Sequence, residues 1–136
     1  MGPVNWLAVI LAANLAVAVG IVWYGPLFRS GRPLLEGAGP DPDPRHPVRN
    51  YGSTVVVMLL AGWLMGHNFA RIEAETLSAK PWLYWMMSGG FALFIASPAV
   101  WLTAARYGAT PRQRWVDSGF WLAASLAMGT VFWALG

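Results

Sequence analysis

Every formal side-chain charge in this 136-residue chain falls within one of three stretches, 29–49, 71–80 and 106–117. All nine Lys/Arg and all six Asp/Glu sit there, and the runs 4–28, 50–70, 81–105 and 118–136 carry none. A water-soluble helix needs a polar face along its whole length, so charges sorted this way argue against a soluble bundle. Composition agrees, at 57% hydrophobic and 11% charged residues, where soluble domains average roughly 25% charged.

A membrane-spanning helix needs about 20 residues to cross ~30 Å of hydrocarbon. Each charge-free run meets or nearly meets that length, the fourth by borrowing Trp115 and Val116. No run shows the ~10-residue alternation of a membrane strand, and a helix satisfies its own backbone hydrogen bonds in lipid. The expected fold is therefore an all-α membrane protein, one four-transmembrane-helix bundle. Its spans are about 4–25, 51–71, 81–106 and 114–135, with a Pro-rich loop over 29–50. The first run offers Ala16-Val17-Ala18 as a small-x-small cleavage site. It has no Lys or Arg before it and outruns the apolar core of a signal peptide, so it reads as a retained helix. Without cysteine, disulfides, thiolate metal sites and catalytic thiols are excluded.

A pI near 9.8 would suggest nucleic acid in a soluble protein. Here the basic residues gather at membrane edges, so no nucleic-acid partner is expected. Loop one holds Arg29, Arg32, Arg45 and Arg49, and loop three holds Arg106, Arg112 and Arg114. Loop two holds only Arg71 and Lys80. The positive-inside rule then puts loops one and three in the cytoplasm and both termini on the non-cytoplasmic side.

Local signals punctuate the spans. Gly25-Pro26 should stop the first helix, and Pro40, Pro42 and Pro44 should leave loop one an extended spacer. Arg71 and Glu75 sit at i,i+4, so the second helix is expected to continue to about Ser78. Pro81 suits a first helical turn, Pro98 should kink the third helix, and Gly108 can end it. Thr110-Pro111-Arg112-Gln113 has the form of a capping box opening the fourth. Aromatics gather at the expected interfaces, Trp6, Trp82, Tyr84 and Trp85 outside and Trp23, Tyr24, Tyr51, Trp101, Tyr107 and Trp115 inside. Trp63 falls mid-span.

Small residues recur at helical spacing: Ala8, Ala12, Ala16 and Gly20; Gly62 and Gly66; Ser88, Ala92 and Ala96; Gly119, Ala123 and Ala127. Small side chains let membrane helices approach closely, within the bundle or against another subunit. Polar groups inside a span are the default functional candidates. Asn14 lies mid-helix, opposite the alanine stripe, and is expected to hydrogen-bond a neighbouring helix; binding a ligand is the alternative. Asp117 has Arg114 three residues before it, giving a local ion pair or, alternatively, a proton or cation site. His67 is a weak candidate ligand for haem or metal, since no second histidine lies in a span, and Arg71 can snorkel to headgroups. No phosphate loop, zinc motif, nucleophile–base set or paired intramembrane carboxylate is present, so neither enzymatic chemistry nor a cofactor is expected.

Asn5-Trp6-Leu7-Ala8, leading into Trp23-Tyr24-Gly25-Pro26-Leu27-Phe28, resembles the start of the bacterial membrane family catalogued as domain of unknown function 1761. Asp117-Ser118-Gly119-Phe120-Trp121 is similar to that family's last helix. The resemblance implies a small multi-pass protein of a bacterial inner membrane and lends no catalytic residue.

Three function classes follow. A bundle rich in small-residue stripes and poor in buried ionisable groups suits a structural or accessory subunit, packing in a homo-oligomer or a larger respiratory or photosynthetic complex. A small oligomeric transporter or channel is the first alternative. A quinone- or haem-associated redox subunit, resting on His67 and the tryptophans, is the second.

Overall fold

The computed structural model describes residues 2–28 and 47–135, and within these the chain is all helix, turn and connecting coil, with no strand. The extended spacer expected in loop one, with Arg29, Arg32, Arg45 and His46, lies outside the described residues, as do the side chains of residues 47–51. Four helices are long and apolar enough to cross a membrane: Trp6–Leu27, Gly52–Phe69, Leu83–Arg106 and Pro111–Leu135.

Helix α1 (Trp6–Val22) starts on Asn5, whose side-chain oxygen accepts the Ala8 amide at 3.1 Å. The Asn5 amide also donates to the Leu135 carbonyl at 2.8 Å, tying the start of α1 to the end of the last helix. Gly25-Pro26 does not stop the helix. The chain widens instead into a π turn, Trp23–Leu27, that carries Pro26 inside it. Widening relieves the i−4 site, where a proline ring would clash and a donor is missing.

Helix α2 (Pro47–Phe69) ends before Arg71 rather than running on to Ser78. The Arg71 and Ile72 amides fold back onto the carbonyls of Asn68 and Phe69, at 3.2 and 3.0 Å. Glu73 is extended, and a short separate helix follows, α3 (Ala74–Ala79). The break turns Leu77 into the core and Ile72 against it. Burying a leucine stabilises by roughly 1.5–3 kcal/mol, whereas the i,i+4 pair expected from the sequence is worth only about 0.2–0.5 kcal/mol. Packing wins.

The third span comprises α4 (Leu83–Phe91), a π turn over Ala92–Ala96 and α5 (Ser97–Arg106). The π turn directly precedes Pro98, so both prolines inside spans are accompanied by the same local widening. Gly108, at φ +72°, ends α5 in the left-handed region open to glycine. Helix α6 (Pro111–Leu135) then begins on a reciprocal cap. The Thr110 amide donates to Gln113 Oε1 at 2.9 Å, and the Gln113 amide to Thr110 Oγ1 at 3.3 Å.

The helices pack in the order α2, α1, α6, then α4 with α5. Helix α1 lies between α2 and α6, and α6 carries the third span on its other flank. Ala8, Ala12, Ala16 and Phe120 are completely buried. At Gly62 an added Cβ would stand 3.2 Å from the Val9 carbonyl, so a hydrogen there is what seats α2 on α1. Gly129 is tighter still. Its Cβ would collide with the Ser88 hydroxyl and sit 2.9 Å from the Tyr84 carbonyl, which sets how closely α4 approaches α6. Between α2 and the third span the meeting point is the Phe69 ring, 4.8 Å from Tyr84 and 5.3 Å from Phe132. The exposed faces are mostly apolar, as lipid requires, with Val56, Leu60, Phe94 and Leu102 all more than half exposed.

Candidate functional site

Polar side chains from the first and third spans meet on one stretch of α6. Trp23 lies in the first π turn, and its indole Nε1 donates to the Val116 carbonyl at 3.0 Å. The next residue, the buried Tyr24, donates its hydroxyl to Asp117 Oδ1 at 3.1 Å and stacks on Phe120 with ring centroids 5.4 Å apart. From the other side, Ser97 follows the second π turn and donates to the Ser118 carbonyl at 2.8 Å. Ser118 returns the bond to the Ser97 carbonyl at 3.2 Å. Both π turns therefore deliver side chains to three consecutive residues, Val116, Asp117 and Ser118. Where lipid replaces water, an unpaired polar group costs several kcal/mol, so these reciprocal bonds stabilise the two helix joints. A π turn inside an α-helix is also a frequent mark of a functional position.

Asp117 is the one carboxylate in this cluster, half-buried, with a phenol on one oxygen. The ion pair expected with Arg114 does not form. Arg114 donates from Nε to the Ala109 carbonyl at 2.9 Å, and its guanidinium lies over the Trp101 ring, 5.9 Å from the centroid. Chemically the cluster can hold a proton between phenol and carboxylate, or present a carboxylate oxygen to a donor entering along α6.

The other candidates lie apart from it. Asn14 is exposed, and its amide donates at 2.8 Å to the Ile10 carbonyl of its own helix, not to a neighbouring one. The face of α1 that carries it points away from both α2 and α6. His67 is exposed on α2 with its ring 6.5 Å from that of Trp63. Among the described residues no group of three His, Cys, Asp or Glu is placed to hold a metal ion. Arg71 is exposed beyond the end of α2 and lines a half-open cavity of about 1290 Å³ at the end of the molecule opposite Asp117.

Of the small residues, Ala8, Ala12, Ala16, Gly20, Gly62 and Gly66 are buried between helices. Gly119 and Ala123 are half-buried, with Gly119 against the Trp23 ring, where a Cβ would come within 3.0 Å. Sequence reading missed Gly129 and Gly89, the close approaches between α4 and α6. The signal for one was present, since Ser125 and Gly129 are a small pair four apart. It also took Trp23 and Tyr24 for interface anchors, because nothing local says that a π turn will aim them at α6.

A family model described as "Protein of unknown function (DUF1761)" matches residues 7–133, from the first turn of α1 almost to the end of α6. No curated protein and no solved structure matches the chain. The match takes in nearly the whole of all four candidate spans and all but Asn5 and Trp6 of the segments that carry the resemblance, and the chain therefore belongs to the DUF1761 family.

Proposed function

We propose that this multi-pass membrane protein is a structural or accessory subunit of a bacterial inner membrane. It packs with copies of itself or within a larger complex of respiratory or photosynthetic type, with loops one and three on the cytoplasmic side. The observation that carries the reading is Asn14. Its amide lies near the middle of the first span, exposed, with one donor spent on the Ile10 carbonyl. An amide has two N–H donors and an accepting oxygen, and lipid satisfies none of the remainder. A second helix laid against α1 does, at about 0.6–2 kcal/mol per interhelical bond. The sorting of basic residues, seven in loops one and three against two in loop two, supports the orientation.

The test is cross-linking in native membranes followed by purification in mild detergent. Wild-type protein should migrate with copies or partners, and Asn14→Leu should shift it towards the monomer without loss of helical content. A wild-type chain that is monomeric in both membrane and detergent overturns the reading.

A second reading, a small oligomeric transporter or channel, is favoured by one observation, the half-buried Asp117 carboxylate held by Tyr24. Proteoliposome flux that disappears in Asp117→Asn would establish it over the first. His67, exposed beside Trp63, adds nothing to the redox reading.

A further inference from the structure

The cavity at the end of the molecule opposite Asp117 is built in two layers. Its floor is apolar, from Gly66, Phe69 and Phe132 at the ends of the second and fourth spans, with Val4 just before the first span and Leu77 turned into the core from α3. Its rim carries Arg71, Glu73 and Glu75, in the short segment between the second and third spans. Spans ending at Phe69 and restarting at Leu83 put Gly66, Phe69 and Phe132 towards the depth of acyl chains and Arg71, Glu73 and Glu75 at the depth of headgroups. Among the described residues none of the three rim groups is ion-paired, although both signs are present within five residues.

The wall has the means to hold its shape without an occupant. The Gly2 amide donates to the Ala70 carbonyl at 3.0 Å, anchoring the start of the rim to the start of the chain. Leu77 pins α3 to the core from below. At about 1290 Å³, open on one side, the space has room for a lipid headgroup and the start of its acyl part, where ordinary small-molecule sites measure roughly 300–1,000 Å³.

We propose that this cavity binds a phospholipid with a primary-amine headgroup, a phosphatidylethanolamine of the surrounding leaflet. The phosphate lies at Arg71, the ammonium between Glu73 and Glu75, and the acyl part over Phe69 and Phe132. The rim selects among headgroups by hydrogen-bond chemistry. An ammonium has three N–H donors for two carboxylates, a quaternary choline has none, and an anionic glycerol headgroup offers the glutamates no cation. The inference goes beyond the accessory role and stands whether or not the Asn14 face meets a second helix.

Native mass spectrometry of the detergent-purified full chain tests it, with equal amounts of phosphatidylethanolamine, phosphatidylcholine and phosphatidylglycerol. Bound phosphatidylethanolamine should exceed either competitor about tenfold, the size of one charge-assisted hydrogen bond. Glu73→Gln with Glu75→Gln should remove the preference over phosphatidylcholine and leave far-UV circular dichroism unchanged. Arg71→Ala should weaken all three lipids together. Ala74→Trp, which fills the mouth, should abolish retention. Soluble glycerophosphoethanolamine should compete poorly, because it lacks the acyl part that the floor receives; equal competition would mean that a free headgroup suffices and would overturn the lipid assignment. Equal retention of the three lipids by wild type, or a preference that survives the double glutamine variant, overturns the proposal outright.

Discussion

The two ends of the molecule treat polar groups in opposite ways. Around Asp117, every helix that arrives is tied to α6 by a named bond, from Trp23, Tyr24 and Ser97. Around the cavity, Arg71, Glu73 and Glu75 stand on the rim with no ion pair among them. One end spends its polar side chains on holding helices together, and the other leaves them available. The difference follows from depth. Groups inside a span have no water to fall back on, so they gain from a partner within the protein or on a neighbouring helix, whereas groups at the headgroup level remain solvated and lose little by waiting.

The largest effect is expected where α4 meets α6. Helix α4 seats on α6 through Gly129, where a Cβ would meet the Ser88 hydroxyl and the Tyr84 carbonyl backbone. Overpacking of this kind costs about 1–3 kcal/mol and more where backbone must move. Gly129→Val should therefore destabilise by about 3 kcal/mol in SDS-driven unfolding monitored by circular dichroism. A change below about 0.5 kcal/mol, the scale of an ordinary surface substitution, would mean that α4 and α6 do not touch here.

At the clasped end, Tyr24→Phe removes the phenol from Asp117 and keeps the ring against Phe120. The expected cost is about 1–2 kcal/mol in the same unfolding assay, because a half-buried carboxylate loses its donor. Asp117→Asn retains an acceptor for the tyrosine and should cost less than Tyr24→Phe. The reverse order would place the stabilising interaction of Asp117 elsewhere. Ser97→Ala removes one of two reciprocal bonds and should cost about 0.6 kcal/mol, the average for a polar contact between membrane helices.

How much of this was legible in the chain depends on how local the physics is. The four spans were, because lipid imposes a one-dimensional rule: a run of about 20 residues with no charge. The cap on α6 was too, since Thr110 and Gln113 need only each other. The end of α2 was not. The spacing of Arg71 and Glu75 spoke for a continuing helix, and a more distant gain, Leu77 reaching the core, overrode it. The Tyr24–Asp117 bond was invisible for a similar reason, since it joins residues 93 apart through a π turn that no residue pattern announces. Asn14 shows the limit from the other side. The sequence shows a polar residue mid-span, but only the packing of α1 says which way it faces.

The smallest expected effect is the sharpest for the comparison. Glu75→Ala lies on the open rim, and its side chain makes no bond within the described residues. Alanine is also the better helix former at the start of α3, by a few tenths of a kcal/mol. Its effect on unfolding should therefore stay within about 0.5 kcal/mol, of either sign. Asp117, a carboxylate of the same chain set inside a span, should lose at least twice that on replacement by alanine, because Tyr24 is then left buried with a hydroxyl and no acceptor. If the two alanine variants unfold alike, depth does not govern how this protein uses its charged groups. Tyr24 and the rim glutamates would then have to be explained one residue at a time.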